Sequence, residues 1–268
     1  MSRIYLIMQN ILEKLAKCIE SAPKGVILDS SKQNIKEWIE GDFLPDWALN
    51  SICELFEKQA YEELNDRFFK NLEFATAGMR GRTIGKVSTS FELGKISEQG
   101  TPENAAVGAN NMNDFNVAKA TIGLFNYCKK WCDDNNLGVP SLVIAYDVRH
   151  FSKHFCELTA SIWSALGGEV MIFDGARSIP QLSYTVIKSK SIAGVGITAS
   201  HNPACDNGYK VYFSDGAQAS SQHSGGITTS VNSTSWSDVK KYLNIDLSKA
   251  ICKGKCETIR KIQHYLII

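Results

Sequence analysis

The sequence predicts an α/β protein, a helix-covered and largely parallel mixed sheet with a helical N-terminal extension. Two observations carry that expectation. From residue 114 onward, short apolar runs at 142–146, 169–173, 192–198 and 209–213 alternate with longer segments of helical periodicity. Such alternation is the pattern of strands joined through helices that cover the sheet, and it puts ligands near the C-terminal ends of the strands. The first third of the chain shows helical spacing alone.

In chain order, residues 1–18 form an amphipathic helix, with Ile4, Leu6, Ile7, Ile11, Leu12 and Leu15 near helical spacing. The apolar run there is broken by Gln9, Asn10, Glu13 and Lys14, and no small-residue cleavage pattern follows, so a secretory signal is not expected. Residues 34–39 and 47–72 read as helices. Asp46 is the expected N-cap of the second, and Ile52, Leu55, Phe56, Ala60 and Leu64 are its apolar stripe. Residues 83–111, rich in Gly, Ser, Asn and Thr and without sustained periodicity, are expected to be a mobile loop. Helices are then expected to residue 136, at 153–166 and at 181–188, between the strands named above.

The 268 residues are 44% hydrophobic and 21% charged, an ordinary globular composition with room for one large domain or two small ones. Lys and Arg number 29 against 28 Asp and Glu, so no basic footprint supports nucleic-acid binding. No apolar run reaches the ~18 residues of a membrane span, and the expected compartment is the cytosol. Cys128 with Cys132, Cys252 with Cys256, and His150 with His154 each share one face of a helix at i, i+4, but none has further ligands at zinc spacing. The eight cysteines are therefore expected to be reduced thiols rather than a metal site.

Ser200 is the candidate nucleophile. The lead-in to Ile197 suits a buried strand, whereas residues 200–208 are polar and carry Pro203 and Asn207-Gly208 as turn formers, so the serine stands on a loop at a strand end. A Ser-His hydrolase pair is disfavoured, because adjacent His201 points to the opposite side of an extended chain and no Gly-x-Ser-x-Gly elbow is present. Two readings stay open on these residues alone: a catalytic serine, or a turn in which Thr198, Ser200 and Asn202 satisfy backbone groups. Arg149 and His150 fall at another strand end, so separate segments converge on one place.

The string Thr198-Ala199-Ser200-His201-Asn202-Pro203, followed by Asp206-Asn207-Gly208-Tyr209-Lys210, closely resembles the phosphoserine loop of the α-D-phosphohexomutase superfamily, nearest its eukaryotic-type phosphoglucomutase and phosphopentomutase branch. Phe74 to Arg82, reading FATAGMRGR, is similar to the FGTAGLRG signature of that branch. Asn113-Asp114 resembles its MND segment, and Tyr146-Asp147-Val148-Arg149-His150 its DxRHxS pattern. The resemblance covers roughly residues 34–227, with 83–111 as an insertion. It implies an extension at 1–33, a first domain at 34–235 and a truncated or aberrant tail at 236–268.

By that resemblance Ser200 is the phosphoryl carrier, Lys210 moves a proton to or from the sugar hydroxyl, and His201 is a hydrogen-bond donor. Arg80, Arg149, His150 and Asn202 bind phosphate or support the loop. The substrate would be a sugar phosphate, hexose or pentose, passing through a bisphosphate. The family's Mg²⁺ is held by an Asp-x-Asp-x-Asp loop and the serine phosphate. No Asp-x-Asp occurs in this sequence, so the metal would keep only the Ser200 phosphate as a ligand. The isolated chain is accordingly expected to show no appreciable turnover. A noncatalytic form binding a sugar phosphate or a protein partner is the alternative.

Overall fold

The computed structural model describes residues 3–75, 78–219, 221–243 and 256–259, without the side chains of 3–10, 221 and 256–259. The resembled segment at Thr76 and Ala77, the Cys252 and Cys256 thiols, and all of the tail at 244–268 except 256–259 fall outside the described residues.

Among the described residues a six-stranded mixed sheet forms the centre, made of β1 (Gly78–Arg82), β2 (Ser141–Tyr146), β3 (Glu169–Phe173), β4 (Ala193–Ile197), β5 (Asp206–Phe213) and β6 (Cys256–Ile259). Its order is β1-β5-β4-β2-β3-β6. The β4–β2–β3–β6 run is parallel, and β5 is antiparallel to both β4 and β1. This is the expected helix-covered, largely parallel mixed sheet. Its strand C-termini bring the loops after β2 and β4 together, because Tyr146 lies opposite Ile197 in parallel register and the Asp147 N–H donates to the Ile197 carbonyl at 3.2 Å.

Among the described residues four helices precede the sheet: α1 (Arg3–Ser21), α2 (Asp29–Glu40), α3 (Asp46–Glu57) and α4 (Tyr61–Phe68). After β1 come α5 (Ser90–Leu93), α6 (Asp114–Asn135), α7 (Ser152–Ala165), α8 (Ile179–Ser189), α9 (Ser221–Ser233) and α10 (Trp236–Tyr242). Side chains of α6, α7 and α9 share one core with the apolar residues of the sheet. The other face packs Val143, Ala145, Phe173 and Tyr212 against Leu182 and Val186 of α8. A second core fills the helical layer and takes in Val107, Ala109 and Phe115. Trp38 is its hub, its ring edge-on to those of Phe43, Phe68, Phe115 and Trp236 with centroids 5.3 to 5.8 Å away. It thereby ties α2 to α6 and α10, and such edge contacts add to the area each ring buries.

Two expectations about the helical layer are corrected. The helix foreseen over 47–72 is two helices, because Gln59 takes a left-handed φ of 53° and Ala60 returns its N–H to the Leu55 carbonyl. With no Gly or Pro at the break, the sequence gives no signal for it. Asp46 is the first helical residue rather than the cap, and Pro45 stands in the cap position. The carboxylate in the first turn still suits the helix dipole. Residues 33 and 34 both lie in α2. Of the amphipathic stripe foreseen near the N-terminus, Ile11 and Leu15 are buried.

Residues 83–111 are also not open coil. Thr89 and Glu92 form a reciprocal capping box on α5, and residues 105–109 are buried. Glu92 forms a buried ion pair with Arg67 of α4 at 2.5 Å, both side chains being no more than 2% exposed. Arg67 also donates to Glu63 and to the Val87 and Val107 carbonyls. The order of this segment comes from partners distant in sequence, which periodicity does not register.

Candidate active site

Ser200 stands just past the end of β4, exposed, with a left-handed φ of 57°. A non-glycine residue in that conformation carries about 1–2 kcal/mol of steric cost, so the loop must be held by other contacts. Its own N–H donates to Thr198 Oγ1 at 3.0 Å, and the Asn202 N–H reaches the Ala199 carbonyl at 3.1 Å. The turn reading therefore holds for the Thr198 side chain, which satisfies a backbone N–H, and not for that of Asn202, which bonds side chains.

Arg149 supplies the larger restraint. Its Nη1 donates to the Pro203 and Asp206 carbonyls and its Nη2 to those of Ser200 and Asn202, at 2.6 to 3.2 Å. Nε faces Asp147 Oδ2 at 3.3 Å. The four Nη hydrogens are thereby hydrogen-bonded to loop carbonyls and Nε faces a carboxylate, so Arg149 is placed to hold the loop. Asp147 Oδ1 accepts from the Ser152 hydroxyl at 2.6 Å, and Ser152 accepts from buried Asn207 at 2.8 Å. Sequence reasoning passed over Ser152, although it is the serine of the DxRHxS pattern.

Lys210 lies on β5 opposite Gly196 of β4 and Gly78 of β1. Its Nζ donates to Ser200 Oγ. Burial, and then the positive charge of Arg80, push the Lys210 amine below its usual range, while Asp147 acts against them. A lowered ammonium pKa makes the neutral amine more accessible as a proton acceptor. Arg80, on β1, donates to Asn202 Oδ1 at 3.0 Å, and Asn202 donates in turn to Asp206 Oδ2 at 3.0 Å. Serine, lysine, arginine and asparagine thus meet at one place, beside an open cleft of about 410 Å³ lined in part by Lys70, Arg80, Asn110 and Lys210.

Two predicted residues do not join that cluster. His201 is exposed and makes no hydrogen bond among the described residues. His150 pairs its Nδ1 with Thr101 Oγ1 at 2.7 Å, which links it to the 83–111 segment. Asn207 and Gly208, foreseen as turn formers, are instead strand residues of β5. A Cβ at Gly208 would lie 2.5 Å from the Thr198 carbonyl oxygen, and one at Gly78 would lie 1.8 Å from that of Tyr209. These glycines permit the close strand contact that sets Lys210 beside Ser200.

Among the described residues the charged side chain hydrogen-bonded to Ser200 Oγ is a cation, Lys210. Asp147 is occupied by Arg149 and Ser152, and Asp206 by Asn202. Among the described residues no three His, Cys, Asp or Glu side chains converge on a metal position. Mg²⁺ takes oxygen ligands in near-octahedral geometry, so these residues alone do not fit it. No helix among the described residues is long and apolar enough to cross a membrane.

The family described as phosphoglucomutase/phosphomannomutase, alpha/beta/alpha domain I, matches residues 98–238, more than half of the chain. A phosphoglucomutase of Staphylococcus epidermidis is 34% identical over 181 residues, 68% of this chain and 28% of that protein. A phosphoribomutase of Saccharomyces cerevisiae is 31% identical over 229 residues, 84% and 32% of the two chains. A phosphopentomutase of Mus musculus is 33% identical over 205 residues, 74% and 29%. The chain spans about three tenths of the length of these curated relatives. By this match, and in agreement with its mixed sheet and its Ser200 loop, the chain belongs to the phosphohexomutase superfamily, in its phosphoglucomutase/phosphomannomutase family.

Proposed function

We propose that this chain is the phosphoserine-bearing domain of a sugar-phosphate mutase, acting on a hexose 1- or 6-phosphate or a pentose 1- or 5-phosphate in the cytosol. Ser200 would carry the phosphoryl group. The bond from phosphorus to Ser200 Oγ breaks as a bond forms to a free hydroxyl of the sugar monophosphate. One proton moves from that hydroxyl to Oγ. The bisphosphate so formed then returns its other phosphate to the serine. A covalent carrier divides one difficult transfer into two.

The observation that carries this reading is the Lys210 to Ser200 hydrogen bond. It puts an amine of lowered pKa within reach of the atom that must gain and lose a proton. Arg80 offers its remaining N–H groups to the phosphoryl oxygens beside it, Asn202 orients Arg80, and Arg149 keeps Ser200 in its strained conformation. His201, exposed beside the serine, is free to donate to phosphate or sugar, and His150 steadies the rim through Thr101. In the family, Mg²⁺ supplies charge neutralisation when bound. Ligands beyond the serine phosphate would have to come from outside the described residues.

A second reading, in which the chain binds a sugar phosphate or a protein partner without turning substrate over, is favoured by the lack of converging carboxylates among the described residues. Incubation with glucose 1,6-bisphosphate labelled in its phosphates separates the two. The mutase-domain reading expects label on Ser200, lost in Ser200→Ala, with no appreciable turnover by the isolated chain. A chain that binds the bisphosphate yet never takes up label belongs to the second reading.

A further inference from the structure

Beside the Ser200 cleft lies a smaller pocket of about 170 Å³, lined by Glu63, Asp66, Arg67, Arg80, Arg82 and Asn110 among others. Arg80 and Asn110 line both spaces, so the pocket opens beside the cleft. Arg80 and Arg82 are two apart on β1 and share one face of the strand. Their partners differ from those of the other arginines at this end of the sheet. Arg67 and Arg149 have their N–H groups engaged, whereas the half-buried Arg82 guanidinium has no hydrogen bond or ion pair among the described residues.

A second unmet group lies in the same wall. Glu63 is 4% exposed. Its Oε1 accepts from Arg67, but its buried Oε2 has no hydrogen-bond partner among the described residues. That oxygen is closed to solvent and out of a ligand's reach, so Glu63 brings negative charge to the wall rather than a contact. Asn110 gives its Nδ2 to the Asp66 carbonyl and retains its amide oxygen as a further acceptor.

The chemistry of these groups selects the ligand. A phosphate subsite would present donors alone, and the Glu63 carboxylate would repel the anion. A cation subsite would exclude Arg82. Groups that each donate and accept suit both the guanidinium and the Asn110 amide oxygen, and sugar hydroxyls are such groups. We propose that this pocket is a sugar-hydroxyl subsite of the Ser200 cleft, in which Arg82 donates to, and Asn110 accepts from, ring hydroxyls of the sugar phosphate. The inference rests on the sugar-phosphate reading above and assigns Arg82 and Asn110 a part in sugar choice.

Titration calorimetry on the whole chain with glucose 1-phosphate and, separately, inorganic phosphate tests it. Arg82→Gln and Asn110→Ala are each expected to weaken glucose 1-phosphate by about tenfold, the loss of roughly one good hydrogen bond. Inorganic phosphate should stay within about twofold of the parent chain. Arg80→Gln should weaken both ligands. Circular dichroism establishes that each variant is folded, and Glu63 is left intact because Arg67 depends on it. An unchanged affinity of Arg82→Gln for glucose 1-phosphate, an equal loss for both ligands, or no binding of glucose 1-phosphate by the parent chain would each overturn the subsite. If Ser200 takes no label from the bisphosphate while Arg82→Gln still loses the sugar phosphate selectively, the subsite stands and the mutase reading falls. Labelling of Ser200 with no effect of either variant gives the reverse.

Discussion

Lys210 Nζ donates to Ser200 Oγ across the β4–β5 pair, ten residues apart in the chain and joined by one hydrogen bond in space. Lys210 lies opposite Gly196 and Gly78 in register, and Arg149 holds the loop after β4 through four carbonyls. Replacing the amine by an apolar group of similar length removes the proton acceptor and leaves the strand pairing intact. Lys210→Met is therefore expected to slow phosphoryl uptake by Ser200 by about 10²–10⁴-fold, the usual contribution of a positioned acid or base, with little change in the unfolding midpoint. A rapid-quench labelling series would reveal a role elsewhere if the rate were unaltered.

The pH dependence of the same step follows from the shift in Lys210. Burial and the neighbouring Arg80 charge both lower its pKa, so the labelling rate should rise with pH and level off below the ordinary lysine value of about 10.4. Removing the positive charge by Arg80→Gln takes away the second of those causes. The amine pKa then moves up, and the rising limb should move to higher pH as the rate itself falls. A profile that stayed in place in the variant would show that Arg80 does not act on Lys210.

Arg149 tests the loop frame separately from the chemistry. Four loop carbonyls and Asp147 depend on one planar fork of donors, which a lysine cannot reproduce. Arg149→Lys should cost about 2–4 kcal/mol in denaturant unfolding, the range for leaving hydrogen-bonded partners of a largely buried charge unmet. Labelling of Ser200 should fall with it. Recovery of full stability by the lysine variant would mean that charge alone, and not the fork, holds the loop.

The architecture was legible in the sequence because alternation of apolar runs and helical spacing is written locally. The runs at 142–146 and 169–173 coincide with β2 and β3 to within a residue. Ser200, Lys210, Arg80 and Asn202 were legible through ordered motifs, and the structure brings all four together. What local pattern did not reveal depends on distant partners: the strand role of Gly208, the hold of Arg149 on four loop carbonyls, and the packing of residues 83–111. A serine such as Ser152 looks like any other until Asp147 and Asn207 are placed on either side of it.

The Arg67–Glu92 pair carries the most consequential of these long-range terms. Both groups are buried, and Glu92 also accepts from the Thr89 and Val107 N–H groups, so the carboxylate is fully surrounded. Burial works against its charged form, but the charge and hydrogen bonds of Arg67 and the two N–H groups outweigh it, and the net pKa is lowered. A carboxylate whose folded pKa lies below its unfolded value of about 4.3 contributes stability that is complete above that pH and is lost as pH falls through the folded value. Glu92→Gln keeps the shape and removes the charge, leaving Arg67 with Glu63 alone. It should cost about 3–5 kcal/mol at neutral pH, as expected when one partner of a buried pair is removed. The gap between variant and parent should narrow below about pH 4. Because Glu92 anchors the segment that reaches His150 through Thr101, residues 83–111 should also lose amide-exchange protection ahead of the sheet. A variant as stable as the parent at pH 7, or a gap that does not change with acid, would mean that apolar packing and not this pair fixes the segment.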